Sequence, residues 1–587
     1  MSAESALWNE DRSHRPCVMA RHHVVASGHP WASTAGFQIL EAGGNATDAG
    51  VAVGLCINVL ECHYTSLGGI APLIVYQADR DEVSTLGGLG HWPKAASLEH
   101  FRDKYRGTIP EGLLRTVIPA GAGTWITALE KFGTMSFADV AAPALRFARE
   151  GFPMYPFMRK TIDAYKSRIL GWPATKAVFM PNGRAPENGE TFVQADLAKS
   201  LQYMIDQEAA QKKKGRAAGL KAAFDAFYQG DIAKAFVASQ KENGGWMTME
   251  DMASFHPEIE APSRTRFQDI DVYGCTPLGQ GPMVLEALNI LEGIDLKVLG
   301  HNSPAYIHAV VEALKLAAAD REAYYGDPKF VDVPLKELLS KDYAAKRRAL
   351  FRPDRAEPGM PRAGAVAGRT PRPWHPDPSA GGAIDPRDDQ RSKAGTSFLC
   401  VVDKKGNIFA ATPSDGILAT PIVAGTGLTP STWGSRGYTD PDHPAKVAPN
   451  HRPRMASNPA IAIRKGQMTM AFGSPGAEVL GQAMTQIFLN NVVFGMDPQT
   501  AVEQPRFASF SWPSSIGPHE YKPAMLRLEK PFGEATAKAL TALGHKIEWW
   551  PAREETAGST CMIQADLKTG VKLAGADSRR TAYAVGW

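Results

Sequence analysis

Apolar residues in the first 150 positions follow two alternating spacings, separated by short polar or glycine-rich stops. Residues 32–40 repeat apolar side chains at a helical period and end at Gly43-Gly44, a helix-terminating pair. Asn45 to Asp48 offers short polar caps for a second helix over 49–60, an uncharged apolar run bounded by Asp48 and Glu61. The turn Ser66-Leu67-Gly68-Gly69-Ile70-Ala71-Pro72 leads into a predicted strand at 73–76, and helices are predicted at 124–132 and 137–150. Residues 155–350 read as largely helical, with a strand at 270–273. The most amphipathic helix of the chain is predicted over 305–324, stopped by Gly326-Asp327-Pro328.

The pattern breaks after Arg352. Residues 353–394 hold eight prolines and five glycines. Such a segment buries too little apolar surface to offset its ordering entropy, so an exposed loop or flexible tail over 353–395 is expected. The next stretch is the opposite: 396–403 reads Thr-Ser-Phe-Leu-Cys-Val-Val-Asp, a dense strand. A Lys-Lys-Gly-Asn turn then returns into 408–412 as a hairpin. The remainder is β-rich, with helices predicted at 479–494 and 533–543.

Composition narrows the functions. At 44% hydrophobic and 21% charged, the 587-residue chain is of ordinary globular type. Its net charge of +3 is too weak a field to predict nucleic acid or an anionic membrane as partner. The one basic run, Lys212-Lys213-Lys214-Gly215-Arg216, fits a solvated helix face. No apolar run reaches the ~18 residues of a membrane span, and the N-terminus has no apolar signal core, so a cytoplasmic location is expected. The six cysteines show no CxxC or Cys–His spacing, which argues against structural zinc. P-loop, GxGxxG, HExxH and GxSxG patterns are missing too, which argues against nucleotide hydrolysis, nicotinamide redox, zincin proteolysis and the α/β-hydrolase triad.

The candidate chemistry lies at Gly395-Thr396. A linker followed by a β-branched residue opening a strand is one account of it. The other is an N-terminal nucleophile: a hydroxyl residue at a strand tip, behind a removable segment, whose freed α-amine serves as base for its own side chain. A series of short motifs bears on the choice. Ser27-Gly28-His29-Pro30 with Gly43-Gly44-Asn45-Ala46-Thr47-Asp48-Ala49, the Ser66 to Gly69 turn, Pro119-Ala120-Gly121 with Lys131-Phe132-Gly133, and Glu312-Ala313-Leu314-Lys315 with Ala319-Asp320-Arg321 come first. Val401-Val402-Asp403, Pro449-Asn450-His451-Arg452-Pro453, Gly473-Ser474-Pro475-Gly476 and Pro505-Arg506-Phe507 follow in order. The series resembles the γ-glutamyltransferase family over nearly the whole chain.

That resemblance implies an α+β Ntn-hydrolase fold: a four-layer αββα sandwich of two mainly antiparallel sheets between helical layers, made as one self-cutting precursor. The cut would fall between Gly395 and Thr396, giving a large segment, 1–395, and a small one, 396–587, paired as a heterodimer within one domain, with higher assembly left open. Thr396 takes the nucleophile's place and Ser414 that of the second hydroxyl, an exchange that keeps donor and acceptor. The backbone N–H groups of Gly476 and Ala477 fall on the oxyanion hole, provided φ at Ala477 allows it. The pocket departs from the family. Leu98 stands where the family has its carboxylate-clamping arginine, and Arg436 near its ammonium-accepting acid. Trp433 falls near a family amide, Met455 and Ala456 on its paired serines, and Gly416 on an asparagine. The expected substrate is therefore a small acidic amide other than a γ-glutamyl one. The alternatives are a genuine γ-glutamyl hydrolase/transferase and a non-catalytic, unprocessed relative. No metal or organic cofactor is implied.

Overall fold

The computed structural model describes residues 13–374, 395–415 and 420–587. Two seven-stranded sheets stack on one another. One runs in the order Tyr583–Gly586, Val24–Ser27, Leu399–Val402, Ile408–Ala411, Leu73–Gln77, Glu82–Leu86, Ile259–Glu260. The other runs Val18–Ala20, Lys572–Ala576, Cys561–Asp566, Met468–Gly473, Ala460–Arg464, Ile270–Gly274, Ser263–Phe267. Every pairing within them is antiparallel.

The two-residue period of the strands explains the layers. Cys400 and Val402 pack between the sheets with Ile408, Ala410, Ile461 and Ile563. Their neighbours Leu399 and Val401 turn the other way, with Phe409 and Ala411, under the helix Ala46–Leu60. Both faces are covered, which is why these strands read as continuous apolar runs and not as alternation. Helices Pro30–Glu41, Ala46–Leu60, Gly121–Phe132 and Phe137–Glu150 cover the first sheet. Helices Gly281–Glu292, Pro304–Tyr324 and Glu478–Val492 cover the second. The result is the α+β αββα sandwich. Strands from before and after Gly395 are mixed in both sheets, so the two segments share one core.

The helix Ala46–Leu60 is buried at all its positions and delivers the chain to the site. Asn45 and Asp48 form a reciprocal capping box at its start, and the Asp403 carboxylate takes the Ala46 N–H at 3.0 Å. The same carboxylate accepts the Lys405 and Asn407 N–H groups, so the hairpin turn and the helix start are tied at one point.

Two expectations are corrected. The helix Pro304–Tyr324 is not amphipathic but buried nearly all round, because elements pack on every side of it. Its charged residues are held in internal pairs: Lys315 with Glu312 at 2.7 Å, Asp320 with Arg347 at 2.9 Å, Arg321 with Glu478 at 2.9 Å, and Glu322 with Arg454 at 2.6 Å. The described part of the proline-rich stretch, 353–374, is not a free tail either. Val366 is 3% exposed in the core, the Gly364 N–H donates to Asp320, and the Met360 N–H donates to the Tyr521 hydroxyl. Prolines fix φ in advance, so an extended strap loses less entropy on docking than composition alone suggests. Residues 375–394 lie outside the described residues. Among the described residues, no helix is long and apolar enough to cross a membrane.

Candidate active site

Regular pairing of the strand begins at Leu399, three residues after Thr396, which makes a single antiparallel bridge with Ser414. Ser414 is fixed from the other side by Ile70: its N–H donates to the Ile70 carbonyl at 3.1 Å, and the Ile70 N–H returns to the Ser414 carbonyl at 3.2 Å. The glycine turn before Ile70 permits this approach, since a Cβ on Gly69 would sit 2.3 Å from the Ser414 carbonyl oxygen. Thr396 Oγ1 lies 3.0 Å from Ser414 Oγ. The Thr396 hydroxyl donates to the Gly395 carbonyl at 2.7 Å, and the Ser414 hydroxyl donates to the same oxygen. Gly395 is pressed on Tyr64, where a side chain would come within 2.5 Å of the Tyr64 Cα.

Arg580 closes the other side of the strand tip. Its guanidinium donates to the Thr396 carbonyl at 3.3 Å and to the Glu555 carbonyl at 3.0 Å, lying 5.2 Å from the Tyr64 ring centroid.

The Gly476-Ala477 turn is strained. Gly476 has φ +128°, and Ala477 has φ +49° with ψ −117°, a region that L-residues rarely enter. Such a residue costs about 1–3 kcal/mol and persists only where its surroundings over-determine it. Among the described residues, no hydrogen bond takes the N–H of Gly476 or Ala477. Gly473, just before the turn, would place a Cβ 2.2 Å from the Phe398 ring, which brings this segment beside the Thr396 strand. The next residue, Glu478, accepts from Arg321 at 2.9 Å, Trp512 Nε1 at 3.0 Å and the Ser515 N–H at 2.7 Å. Burial alone would raise its carboxyl, but Arg321 and Ser515 hold it below the usual carboxylate range.

Leu98, Trp433 and Met455, expected together from sequence, lie in one buried apolar cluster with Ile70, Trp92 and Ala456. The cluster reaches the hydroxyl pair through Ile70. Arg436 lies with its guanidinium carbon 3.5 Å from the Trp433 ring centroid. Burial pulls Arg436 down to about 10, against the opposing pull of the Asp415 and Glu478 carboxylates. Asp415 is itself occupied, accepting from the Ser431 and Thr432 hydroxyls and the Thr432 N–H. Gly416 lies outside the described residues.

Sequence reasoning missed Glu61, Arg580 and Asp415 at this site. Glu61 carried a signal, as the charge that closes an uncharged apolar helix; Arg580, distant in sequence, carried none. One group among the described residues has metal-ligand composition, His308, Glu312 and His545, with ligand atoms within 4.8 Å of one another. The Lys315 ammonium already pairs with that Glu312 at 2.7 Å, and the histidine nitrogens lie 3.0 Å apart, at hydrogen-bond distance.

An antiparallel αββα sandwich with a hydroxyl residue at the tip of a central strand is the architecture of an Ntn-hydrolase. The chain belongs to the γ-glutamyltranspeptidase family, whose model matches residues 32–587. It is 31% identical over 575 residues to the glutathione hydrolase-like YwrD proenzyme of Bacillus subtilis (strain 168), covering 97% of this chain and 99% of that protein. It is 30% identical over 536 residues to the acylase ACY 1 proenzyme of Pseudomonas sp. (strain SE83), covering 89% and 87%. The crystal structure of cephalosporin acylase from Bacillus halodurans superposes with a TM-score of 0.83 at 27% identity, covering 99% of this chain and 98% of that one.

Because the strain at Ala477 comes from a Cβ at positive φ, Ala477→Gly should raise unfolding stability by about 1 kcal/mol in denaturant titration while keeping activity. A destabilised Ala477→Gly protein would mean that the turn is not strained.

Proposed function

We propose that this chain is a self-cutting N-terminal-threonine amide hydrolase that works through an acyl-enzyme on a small acidic amide. The observation that supports this most directly is the convergence of the Thr396 and Ser414 hydroxyls on the carbonyl of the Gly395–Thr396 bond. In maturation, Thr396 Oγ1 adds to the Gly395 carbonyl carbon, and its proton passes to the Thr396 nitrogen as the C–N bond breaks. Water then hydrolyses the resulting ester, leaving a Gly395 carboxylate and a free Thr396 amine. In turnover, that amine takes the hydroxyl proton as Oγ1 attacks the substrate amide. The leaving amine departs with the proton, and water releases the acyl group. The Gly476 and Ala477 N–H groups would serve the oxyanion, and Ser414 would orient the nucleophile.

The acidic substrate class is favoured by the pocket side chains. Leu98 offers no fork for a carboxylate next to an α-amine, and Arg436 repels an ammonium while attracting a carboxylate. Two relatives are named acylases, which agrees with this reading. The second reading, a γ-glutamyl hydrolase or transferase, is favoured by the glutathione hydrolase-like name of another.

Denaturing gels of wild type should show pieces of about two thirds and one third of the chain, the smaller opening Thr396-Ser397-Phe398 by N-terminal sequencing. Thr396→Ala should stay whole and lack amidase activity, and Ser414→Ala should lose about 10²–10³-fold in kcat, the scale of one preorganised catalytic hydrogen bond. A wild type that remains whole while active would remove the maturation step.

On a substrate panel, glutaryl or oxalyl amides should be turned over better than γ-glutamyl-p-nitroanilide, and Arg436→Ala should raise KM selectively for the acidic donors. At ~4 Å and an effective dielectric near 20, exchanging attraction for repulsion at one charge amounts to several kcal/mol, reduced by salt. If γ-glutamyl-p-nitroanilide gives the highest kcat/KM of the panel, the second reading replaces the first.

A further inference from the structure

Glu61 closes the helix Ala46–Leu60 and lies 3% exposed beside the scissile segment, without a part in the steps above. Its Oε2 and the Ser397 hydroxyl face each other across the space left by Gly28. An ideal Cβ on Gly28 would lie 2.5 Å from Glu61 Oε2 and 2.3 Å from Ser397 Oγ. Both atoms are buried, and their approach falls short of good hydrogen-bond geometry among the described residues, although the Ser397 hydroxyl still lowers the Glu61 carboxyl as a weak hydrogen-bond partner. A half-made polar pair in a buried place needs a physical account. Arg580 holds the Thr396 carbonyl one residue before Ser397, and its charge acts on the Glu61 carboxylate.

We propose that Glu61 is a positioning residue for the cut at Thr396 and the turnover that follows: its ionised carboxylate holds Ser397 while Arg580 holds the Thr396 carbonyl, keeping the nucleophile at the strand tip. This rests on the reading of Thr396 as the nucleophile.

The surrounding charges leave Glu61 as the group that changes near neutrality. Burial pushes its carboxyl up to about 7, with the Ser397 hydroxyl and Arg580 pulling it back. His29 and His63 are both drawn down to about 3 by burial and stay neutral. Burial raises the Tyr64 and Tyr155 hydroxyls and the Cys62 and Cys561 thiols, keeping them uncharged. Glu555, the other nearby carboxylate, pairs with Lys160 at 3.0 Å. In the uncut chain Thr396 has no α-amine to titrate, so a rate step near pH 7 in cutting points to Glu61. The stability linkage has a definite sign. The folded value lies above the ordinary carboxyl value, so stability is full below about 4.5 and falls as pH rises toward about 7.

The test is a short cell-free synthesis of the full chain, shifted to buffers from pH 5.5 to 9, with cutting followed on gels. Wild type should cut faster above a step near pH 7. Glu61→Gln should cut at a flat rate about tenfold below the wild-type plateau, the factor separating a charge-assisted from a neutral hydrogen bond. Ser397→Ala should move the step to higher pH, since the hydroxyl that lowers the Glu61 value is gone. Melting at pH 8.5 should find Glu61→Gln at least as stable as wild type, because a buried charge has been removed. A step kept in Glu61→Gln, an unmoved step in Ser397→Ala, or a Glu61→Gln chain less stable at pH 8.5 overturns this proposal while the Thr396 reading stands. A wild type that never cuts removes both.

Discussion

Two hydroxyls can share one carbonyl oxygen only where the backbone is brought unusually close from several directions. Around the Gly395–Thr396 bond three of the close approaches fall on glycines. Gly395 itself lies on Tyr64, Gly69 on the Ser414 carbonyl, and Gly28 opens the space shared by Ser397 and Glu61. The backbone that carries the hydroxyl pair is held by pairing of Ser414 with Ile70 and Thr396. A backbone arrangement of this kind is fixed by the strands Leu399–Val402 and Ile408–Ala411 and by the helix Ala46–Leu60, whose start is capped by Asp403 from the turn between those strands. Packing of the whole first sheet thus sets the distance between Thr396 and Ser414.

A second constraint opposes the strain at Ala477. Glu478, the residue after it, is locked by Arg321, Trp512 and Ser515. Arg321 also reaches Glu322, which accepts from Arg454 and Tyr438. Tyr438 is sandwiched between His443 and His519 at ring distances of 3.5 and 3.8 Å. Buried ion pairs of this sort pay heavily in desolvation and give little net stability. What they supply here is direction: one network from the helix Pro304–Tyr324 fixes both the Gly476-Ala477 turn and the segment that carries Arg436. A loose, apolar version of this helix would leave the strained alanine free to relax.

Much of the fold was legible because it depends on local rules. Asn45 with Asp48 announces a capped helix, Gly43-Gly44 a helix end, and the 396–412 stretch a hairpin, and all three are present. The failures have a common cause, which is tertiary context. Helical spacing at 305–324 could not reveal that its charges find partners on all sides. Proline content at 353–374 could not reveal that Asp320 and Tyr521 receive the strap. The proximity of Thr396 to Ser414, of Leu98 to Trp433 and Met455, and of Arg436 to Trp433 was reachable through ordered motifs. Arg580 and Asp415 were not, since their importance lies in contacts across the fold and not in spacing along the chain.

The electrostatics around Arg436 bear on what an incoming acyl group would meet in the proposed reading. A buried guanidinium without counter-charge would bind any anion tightly and release it slowly. Here the Asp415 and Glu478 carboxylates already offset part of that charge, so a substrate carboxylate gains less than it would from an isolated arginine. Neither acid is free to accept an ammonium in exchange: Asp415 is taken up by Ser431 and Thr432, and Glu478 by Arg321, Trp512 and Ser515. In the proposed reading the same offset weakens the repulsion of an α-ammonium as much as the attraction of a carboxylate, so the ammonium is disfavoured mainly because both acids are already occupied. In the proposed reading size selection would fall to the cluster of Leu98, Trp433 and Met455, where a misfit of one methylene is worth only about 1–3 kcal/mol. A site built this way should be strict about an amine next to the acyl chain and tolerant about the length of that chain.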